Sequence, residues 1–133
     1  MNIVVFGPLA VLAAARWGID DPVFVDRVEA AVEKSGHARG RALLVQAEGL
    51  RAQKAGEHTK AAKLLFDAVQ SFATLKLDYE RAVALSDLAQ SLPAMGRRDQ
   101  ADAQLDEARA IADRLKATAL RAAIDGVLVN APS

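Results

Sequence analysis

The chain has 133 residues, about the size of one ordinary domain, and its lack of cysteine excludes disulfides, iron–sulfur clusters and thiolate zinc sites. Its seventeen Lys and Arg balance seventeen Asp and Glu, so the chain as a whole lacks the positive charge needed to bind nucleic acid or anionic membranes. Alanine and leucine, which are strong helix formers, dominate the composition, and this predicts an all-α protein.

The first predicted unit is a degenerate N-terminal helical pair over residues 1–36. Residues 1–15 carry no charge, whereas a secretory signal would place Lys or Arg before its apolar stretch, so a buried first helix is favoured over a cleaved signal. The stretch is also too short to span a membrane. Gly7-Pro8 is expected to start the first helix and Asp21-Pro22 the second, because proline suits the first turn and Asp suits the cap.

Five further helices are predicted from apolar residues at helical spacing between turn glycines. They are expected over residues 39–55, 57–75, 78–92, 99–115 and 117–129. Asp78 is expected to cap the fifth helix, and Pro93 to end it, because an interior proline removes a backbone hydrogen bond and clashes with the preceding turn. Residues 130–133 are expected to form a disordered tail.

The chain repeats itself at a shift of forty residues. Residues 41–82 and 81–122 share ten identical pairs, seven of which are the turn glycine or small or apolar residues of the helix faces. One helix hairpin cannot bury its apolar stripe alone, so stacking a second hairpin on the first creates a continuous core. The repeat therefore predicts stacked antiparallel hairpins.

This pattern resembles the tetratricopeptide repeat (TPR), in which a small residue of the first helix precedes a turn glycine and two alanines of the second helix. The matching residues are Gly49, Gly56, Ala61 and Ala68 in one copy and Ala89, Gly96, Ala101 and Ala108 in the other. The forty-residue period is longer than the usual thirty-four, which implies longer helices. The resemblance implies a right-handed TPR-like α-solenoid of about seven helices, with residues 37–129 forming two repeats plus a capping helix.

Residues 72–123 resemble, more narrowly, the C-terminal helical repeats of LuxR-type ATPase transcriptional regulators and of multidomain adenylate cyclases. The likeness lies in Tyr79 to Ala82, Asp87 to Ala89, Met95 to Arg98 and Ala108 to Ala112. It implies a cytoplasmic regulatory module that is a terminal fragment or a relative of such a bacterial signalling regulator. The implied partner is a protein or peptide, or an adjacent ATPase or cyclase domain. Stacking of open solenoid ends would also allow a homodimer. The alternative is a part of a LuxR-type activator whose DNA-binding domain lies outside this chain.

No residue pattern predicts an enzyme, a metal site or a cofactor. The stretch from Gly36 to Gly40 lacks the spacing and the Lys-Ser/Thr pair of a phosphate-binding loop. His37 and His58 are expected to be solvated turn residues, since a metal needs three or four convergent ligands. Trp17 is expected to fill the core or an interface. Arg97-Arg98 forms a small basic spot that can meet carboxylates of a partner.

The predicted function is non-catalytic binding of a protein or peptide in the groove between the first helices of successive repeats. The groove positions implied by the TPR resemblance are Leu43, Gln46, Leu50, Gln53 and Lys54 in one copy and Val83, Ser86 and Gln90 in the other, where Pro93 and Ala94 continue the set. The alternative, which is equally open, is that these side chains pack against the next repeat or face water.

Overall fold

The computed structural model describes residues 2–130, with side-chain positions for residues 2–127. Within residues 2–130 it contains seven α-helices, one 3₁₀ turn and no strand, which confirms the predicted all-α class and the number of helices. The 3₁₀ turn is Pro93–Met95, and the helices are α1 Ile3–Trp17, α2 Pro22–Ser35, α3 Ala38–Lys54, α4 His58–Thr74, α5 Asp78–Ala89, α6 Arg98–Arg114 and α7 Thr118–Asn130. Except for Asn130, which ends α7, the predicted tail lies outside the described residues.

Helix α1 begins earlier than the sequence predicted. The Asn2 side chain accepts a hydrogen bond from the Val4 amide at 3.0 Å, so Asn2 caps the helix and the expected start at Gly7-Pro8 is wrong. Pro8 lies inside α1 and is buried. A Cβ atom on Gly40 of α3 would lie 3.4 Å from the Pro8 ring, so the ring packs closely against α3. This contact offsets the helical hydrogen bond that an interior proline cannot make.

Helices α2 and α3 both start with a side-chain cap. Asp21 accepts a hydrogen bond from the Phe24 amide at 3.2 Å, and Pro22 occupies the first helical position, which confirms the predicted start of α2. His37 caps α3 because its Nδ1 accepts a hydrogen bond from the Gly40 amide at 3.1 Å. Capping side chains satisfy amides that have no partner within the helix.

The hairpins α3–α4 and α5–α6 follow the same backbone plan at a shift of forty residues. Helix α6 begins and ends forty residues after α4 does. The turn inside each hairpin contains a glycine with positive φ, 78° at Gly56 and 72° at Gly96. The turn after each hairpin contains a lysine with positive φ, 59° at Lys76 and 55° at Lys116. The sequence repeat is therefore also present in the backbone.

The first helices of the two hairpins differ in length. Helix α3 has 17 residues, whereas α5 has 12 and ends at Ala89. Pro93 has no amide to donate to the Ala89 carbonyl, and the chain continues as the 3₁₀ turn, as Pro93 predicts. Asp78 is the first residue of α5 and not its cap, because Leu77 occupies the cap position without a side-chain hydrogen bond.

Small residues allow the helices of the two hairpins to approach closely. Along the chain α3 packs against α4, α4 against α5 and α5 against α6, while α1 packs directly on α3. A Cβ atom on Gly49 would lie 2.8 Å from Cγ of buried Leu65, closer than packed carbon atoms tolerate. The alanines of the repeat pattern are at most 3% exposed: Ala61, Ala68, Ala89, Ala101 and Ala108.

The N-terminal pair leaves large apolar side chains exposed to solvent. Trp17 is 81% exposed, so the expectation that it fills the core is wrong within this chain. It is the last residue of α1, where the chain turns away through Gly18, and no helix side chain within residues 2–127 covers the ring. Ile19 and Val23, which follow it, are also exposed.

Candidate functional site

Asp87 of α5 is a buried carboxylate held by side chains of two other helices. Its side chain is 2% exposed. Arg16 at the end of α1 donates from both terminal nitrogens to the two carboxylate oxygens, at 2.7 and 3.0 Å. Gln46 of α3 donates to one of these oxygens at 2.9 Å. The carboxylate therefore connects the N-terminal pair to both hairpins, and the bidentate geometry is the strong form of an arginine–carboxylate pair.

A second amide extends this network along α3 and α5. Gln53 donates from Nε2 to the backbone carbonyl of Asp87 at 2.9 Å and to the hydroxyl of Ser91 at 2.8 Å. Ser91 is fully buried. Buried polar groups are costly unless they are paired, and in this network each has a partner.

The hydrogen bonds to Asp87 stabilise the protonated form of Arg16. Its hydrogen bonds to Asp87 raise the pKa of Arg16 above the ordinary value, burial opposes the shift, and attraction to the carboxylate adds to it. A guanidinium is already protonated throughout the physiological range. Arg16 therefore stays cationic, and its charge is neutralised by Asp87.

A cleft of about 340 Å³ opens beside the network, between α5 and α7. We call it the α5–α7 cleft, and it is lined by Arg16, Tyr79, Val83, Ser86, Asp87, Gln90, Ala119, Leu120, Ala123, Ile124 and Val127. Leu120 and Ile124 are buried and form its base, whereas Tyr79 is 51% exposed at its edge. Its apolar base and polar edge suit binding of a polypeptide segment.

The predicted groove residues divide between two environments. Val83, Ser86 and Gln90 lie together in the α5–α7 cleft. The predicted set on α3 does not form an open surface: Leu43, Gln46 and Leu50 are at most 3% exposed, Gln53 is hydrogen-bonded to α5, and only Lys54 is exposed. Pro93 lies in the 3₁₀ turn, with Ala94 exposed beside it. Apart from Gln53 and Lys54 at its end, the α3 set therefore lies inside the protein, and the groove stays a prediction for the α5 set.

The predicted repeat-packing residues lie at turns and helix contacts. Gly49 faces Leu65 across the first hairpin, and Gly56 and Gly96 lie in the turns. Their alanine companions are buried, as described above. These placements explain why small residues recur at these positions.

Sequence reasoning missed Arg16 and Asp87, although the forty-residue register contains a signal for the latter. The position equivalent to Asp87 in the first hairpin is Ala47, which is fully buried. A carboxylate at a position that the repeat buries requires a cationic or hydrogen-bonding partner. Arg16 carries no comparable signal, because the N-terminal pair lies outside the repeat.

Other polar residues serve local structure. His37 caps α3, and Asp21 caps α2. Within residues 2–127 no three His, Asp or Glu side chains are arranged to hold a metal ion. No helix in the described part of the chain combines the length and the apolar character needed to cross a bilayer.

Comparisons with known proteins give no identification. The chain matches no protein-family model, and no curated protein and no solved structure is significantly similar to it.

Proposed function

We propose that this chain is a non-catalytic protein-interaction module built from TPR-like helix hairpins. The recurrence of the turns at Gly56 and Gly96, at the same positive φ, supports a repeat architecture. Helices α5 and α7 begin forty residues apart, as the first helices of successive units. Solenoids of stacked hairpins offer their partners an extended surface that runs along successive repeats.

The α5–α7 cleft is the observation that carries this proposal. The partly exposed side chains of Val83 and Val127 give it apolar contact area. Ser86 and Gln90 add a hydroxyl and an amide. Tyr79 is half-exposed at the edge, where an aromatic ring can cover an incoming chain and its hydroxyl can hydrogen-bond. This mixture is typical of interfaces that bind polypeptides.

The partner of this cleft is best described as an uncharged, extended peptide segment. Asp87 neutralises Arg16, so the cleft presents no unpaired charge of its own. Selection therefore depends on apolar side chains and on hydrogen bonds to the peptide backbone. The likeness of residues 72–123 to the repeats of ATPase regulators and cyclases favours a regulatory, cytoplasmic setting, with the partner segment in a signalling protein.

A selection from a random peptide library displayed on phage, followed by binding titrations, tests the proposal. The variant Tyr79→Ala/Gln90→Ala removes the edge of the cleft without touching a buried side chain. Trp17→Ala is the matched control, because Trp17 is an aromatic residue 81% exposed at the end of α1, where it does not line this cleft. We expect selected peptides to bind the parent and Trp17→Ala equally and Tyr79→Ala/Gln90→Ala at least about tenfold more weakly.

Two results would contradict the proposal. The first is a selection that enriches no peptide for the parent protein. The second is a set of peptides whose affinity is unchanged in Tyr79→Ala/Gln90→Ala while circular dichroism shows both variants to be folded.

A further inference from the structure

A second cleft lies elsewhere on the molecule, between the second helices of the two hairpins. It has a volume of about 620 Å³ and is walled by α4 and α6 and floored by the end of α5 and the 3₁₀ turn. We call it the α4–α6 cleft, and it is lined by Thr59, Ala62, Lys63, Phe66, Leu88, Leu92, Met95, Arg97, Gln100 and Gln104. Apart from Ala62, Leu88 and Leu92, these residues are partly or fully open to solvent.

The α4–α6 cleft combines an apolar floor with a cationic rim. Leu88 and Leu92 are buried beneath it, and Phe66 stands 49% exposed at its wall. Lys63 and Arg97 supply positive charge, and no Asp or Glu lines the cleft. Within residues 2–127 neither of these two cations forms an ion pair with another side chain. Their charges are therefore available to a partner.

The first hairpin provides an internal comparison at a shift of forty residues. The equivalent cleft there, which we call the first-hairpin cleft, is lined by Glu29, Glu48, Arg51, Ala52, Glu57 and Lys60. The position of Leu88 is occupied by Glu48, and that of Arg97 by Glu57. The first-hairpin cleft has three carboxylates and two cations among its lining residues, whereas the α4–α6 cleft has two cations and no carboxylate. The charge of the α4–α6 cleft is therefore set by its own side chains and is not common to both hairpins.

The early end of α5 enlarges the apolar floor. Because Pro93 ends the helix, the chain turns through Pro93–Met95 and brings Met95 into the cleft. The equivalent residue of the first hairpin is Ala55, which is exposed and does not line the first-hairpin cleft. A flexible thioether at the floor adapts to side chains of different shape.

The geometry points to the α4–α6 cleft as a docking site for an acidic amphipathic helix of a partner protein. A trough between two helices accepts the apolar stripe of a third, and the side chains of Phe66 and Met95 provide the matching apolar surface. Asp or Glu beside that stripe would meet Lys63 on one wall and Arg97 on the other. A small molecule is less well suited, because ligand sites enclose most of their ligand and these walls are open to solvent. This inference does not depend on the α5–α7 cleft.

The test uses the full chain and two designed peptides. The probe is a fluorescein-labelled helical peptide of about 16 residues, with Leu at every third or fourth position and Asp or Glu on both sides of the stripe. The comparison peptide carries Lys at each acidic position. In fluorescence anisotropy at low salt we expect the acidic peptide to bind at least about tenfold more tightly than the basic one, with a preference that weakens as salt is added.

Matched charge reversals locate the site. Lys63→Glu/Arg97→Glu should weaken binding of the acidic peptide by about tenfold or more, because it reverses the rim of the cleft. Arg51→Glu/Lys60→Glu makes the same change in net charge in the first-hairpin cleft and should leave the affinity unchanged. Phe66→Ala should also weaken binding, whereas Tyr79→Ala, on the other cleft, should not. Circular dichroism confirms that each variant is folded.

Four outcomes would overturn the inference. Equal affinity for the two peptides, or no saturable binding, would exclude charge-selective docking. An equal loss in both double variants would show attraction by net charge alone. Occupancy by decanoate, a small anionic amphiphile, without peptide binding would make this a small-molecule site. A concentration-dependent dimer in sedimentation, abolished by Lys63→Glu/Arg97→Glu and not displaced by the acidic peptide, would assign the cleft to a second copy of the chain.

Discussion

Removing Arg16 should destabilise the protein more than removing the carboxylate that it pairs with. Asp87 is 2% exposed in the parent, and in Arg16→Met it loses both guanidinium hydrogen bonds and keeps, among the residues described, the Gln46 amide as a side-chain donor. In Asp87→Ala the charge itself is gone, and the guanidinium, whose side chain is 41% exposed, can turn to water. Alanine fits that helix face, since Ala47 occupies the equivalent position of the first hairpin.

The magnitudes follow from burial. Breaking a fully buried ion pair costs about 3–5 kcal/mol, and because water already reaches Arg16, we take about 2 kcal/mol for Arg16→Met. Asp87→Ala leaves the Gln46 amide without its acceptor, which costs about 1 kcal/mol. The double variant Arg16→Met/Asp87→Ala also leaves only the Gln46 amide without its acceptor, so we expect a loss of unfolding free energy of about 1 kcal/mol again. The coupling energy between the two sites is then about 2 kcal/mol.

Urea unfolding followed by circular dichroism at 222 nm measures these differences. Arg39→Met is the control, because Arg39 and Glu80 form a single hydrogen-bonded pair, at 3.0 Å, in which both side chains are partly exposed. Its loss should cost at most about 1 kcal/mol. Additive effects of Arg16→Met and Asp87→Ala, or a cost for Arg16→Met no greater than that of Arg39→Met, would refute the reasoning.

Three further changes test the packing, the turns and the surface charges by urea unfolding. Gly49→Ala should destabilise the protein by about 1–3 kcal/mol, because the new Cβ atom would lie 2.8 Å from a buried leucine. Gly126→Ala, whose Cβ atom would meet nothing within 4 Å, should stabilise α7 by about 0.5–1 kcal/mol. Changes in unfolding free energy of the same sign in both variants would contradict this. Gly56→Lys should destabilise the protein by about 1 kcal/mol, because residue 56 has a φ of 78°. Lys76→Gly, at a φ of 59°, should not destabilise the protein. A loss of stability in Lys76→Gly would show that the backbone at this turn is not strained. A hydrogen bond from Arg109, and a further one from Arg121, lower the pKa of Asp125. The contribution of ionised Asp125 to stability is therefore fully present above the ordinary aspartate pKa near 3.9. It is lost as the pH falls through the lowered pKa of the folded protein. The difference in stability between the parent and Asp125→Asn should therefore be constant above about pH 5 and should shrink as the pH falls from about 4 towards 2 at low salt. A difference that stays constant below about pH 4 would be the contrary result.

The forty-residue pattern predicted the hairpins because the residues that set the backbone are visible in sequence. A turn with positive φ favours glycine, as at Gly56 and Gly96, and close helix contacts require small residues such as Ala61 and Ala101. Pro93 also indicated that the fifth helix must end, although α5 ends at Ala89, three residues before the predicted bound at residue 92. These features act locally, so a short stretch of sequence contains enough information to identify them.

The open surface was harder to predict because it depends on which helices lie next to each other. The sequence of α3 offers an amphipathic set around Leu43 and Leu50, yet both side chains are buried. Leu50 packs in a cluster with buried residues of α1, and Leu43 packs in the main core with residues of α4 and α5. Nothing in the periodicity of α3 shows that a helix from outside the repeat covers it. Trp17 was misplaced for the same reason, since its exposure depends on where α1 ends relative to its neighbours.

The two hairpins keep what the backbone needs and differ in what a partner would meet. Glycines and alanines recur at the turns and contacts, whereas Ala47 is replaced by a carboxylate, Glu48 by leucine and Glu57 by arginine in the second copy. The first replacement creates the network that fixes the N-terminal pair to both hairpins, and the other two turn an acidic cleft into a basic, apolar one. Equivalent positions of the two hairpins that differ in charge are positions where the shared backbone does not determine the residue. The second hairpin is therefore where binding specificity should be sought first.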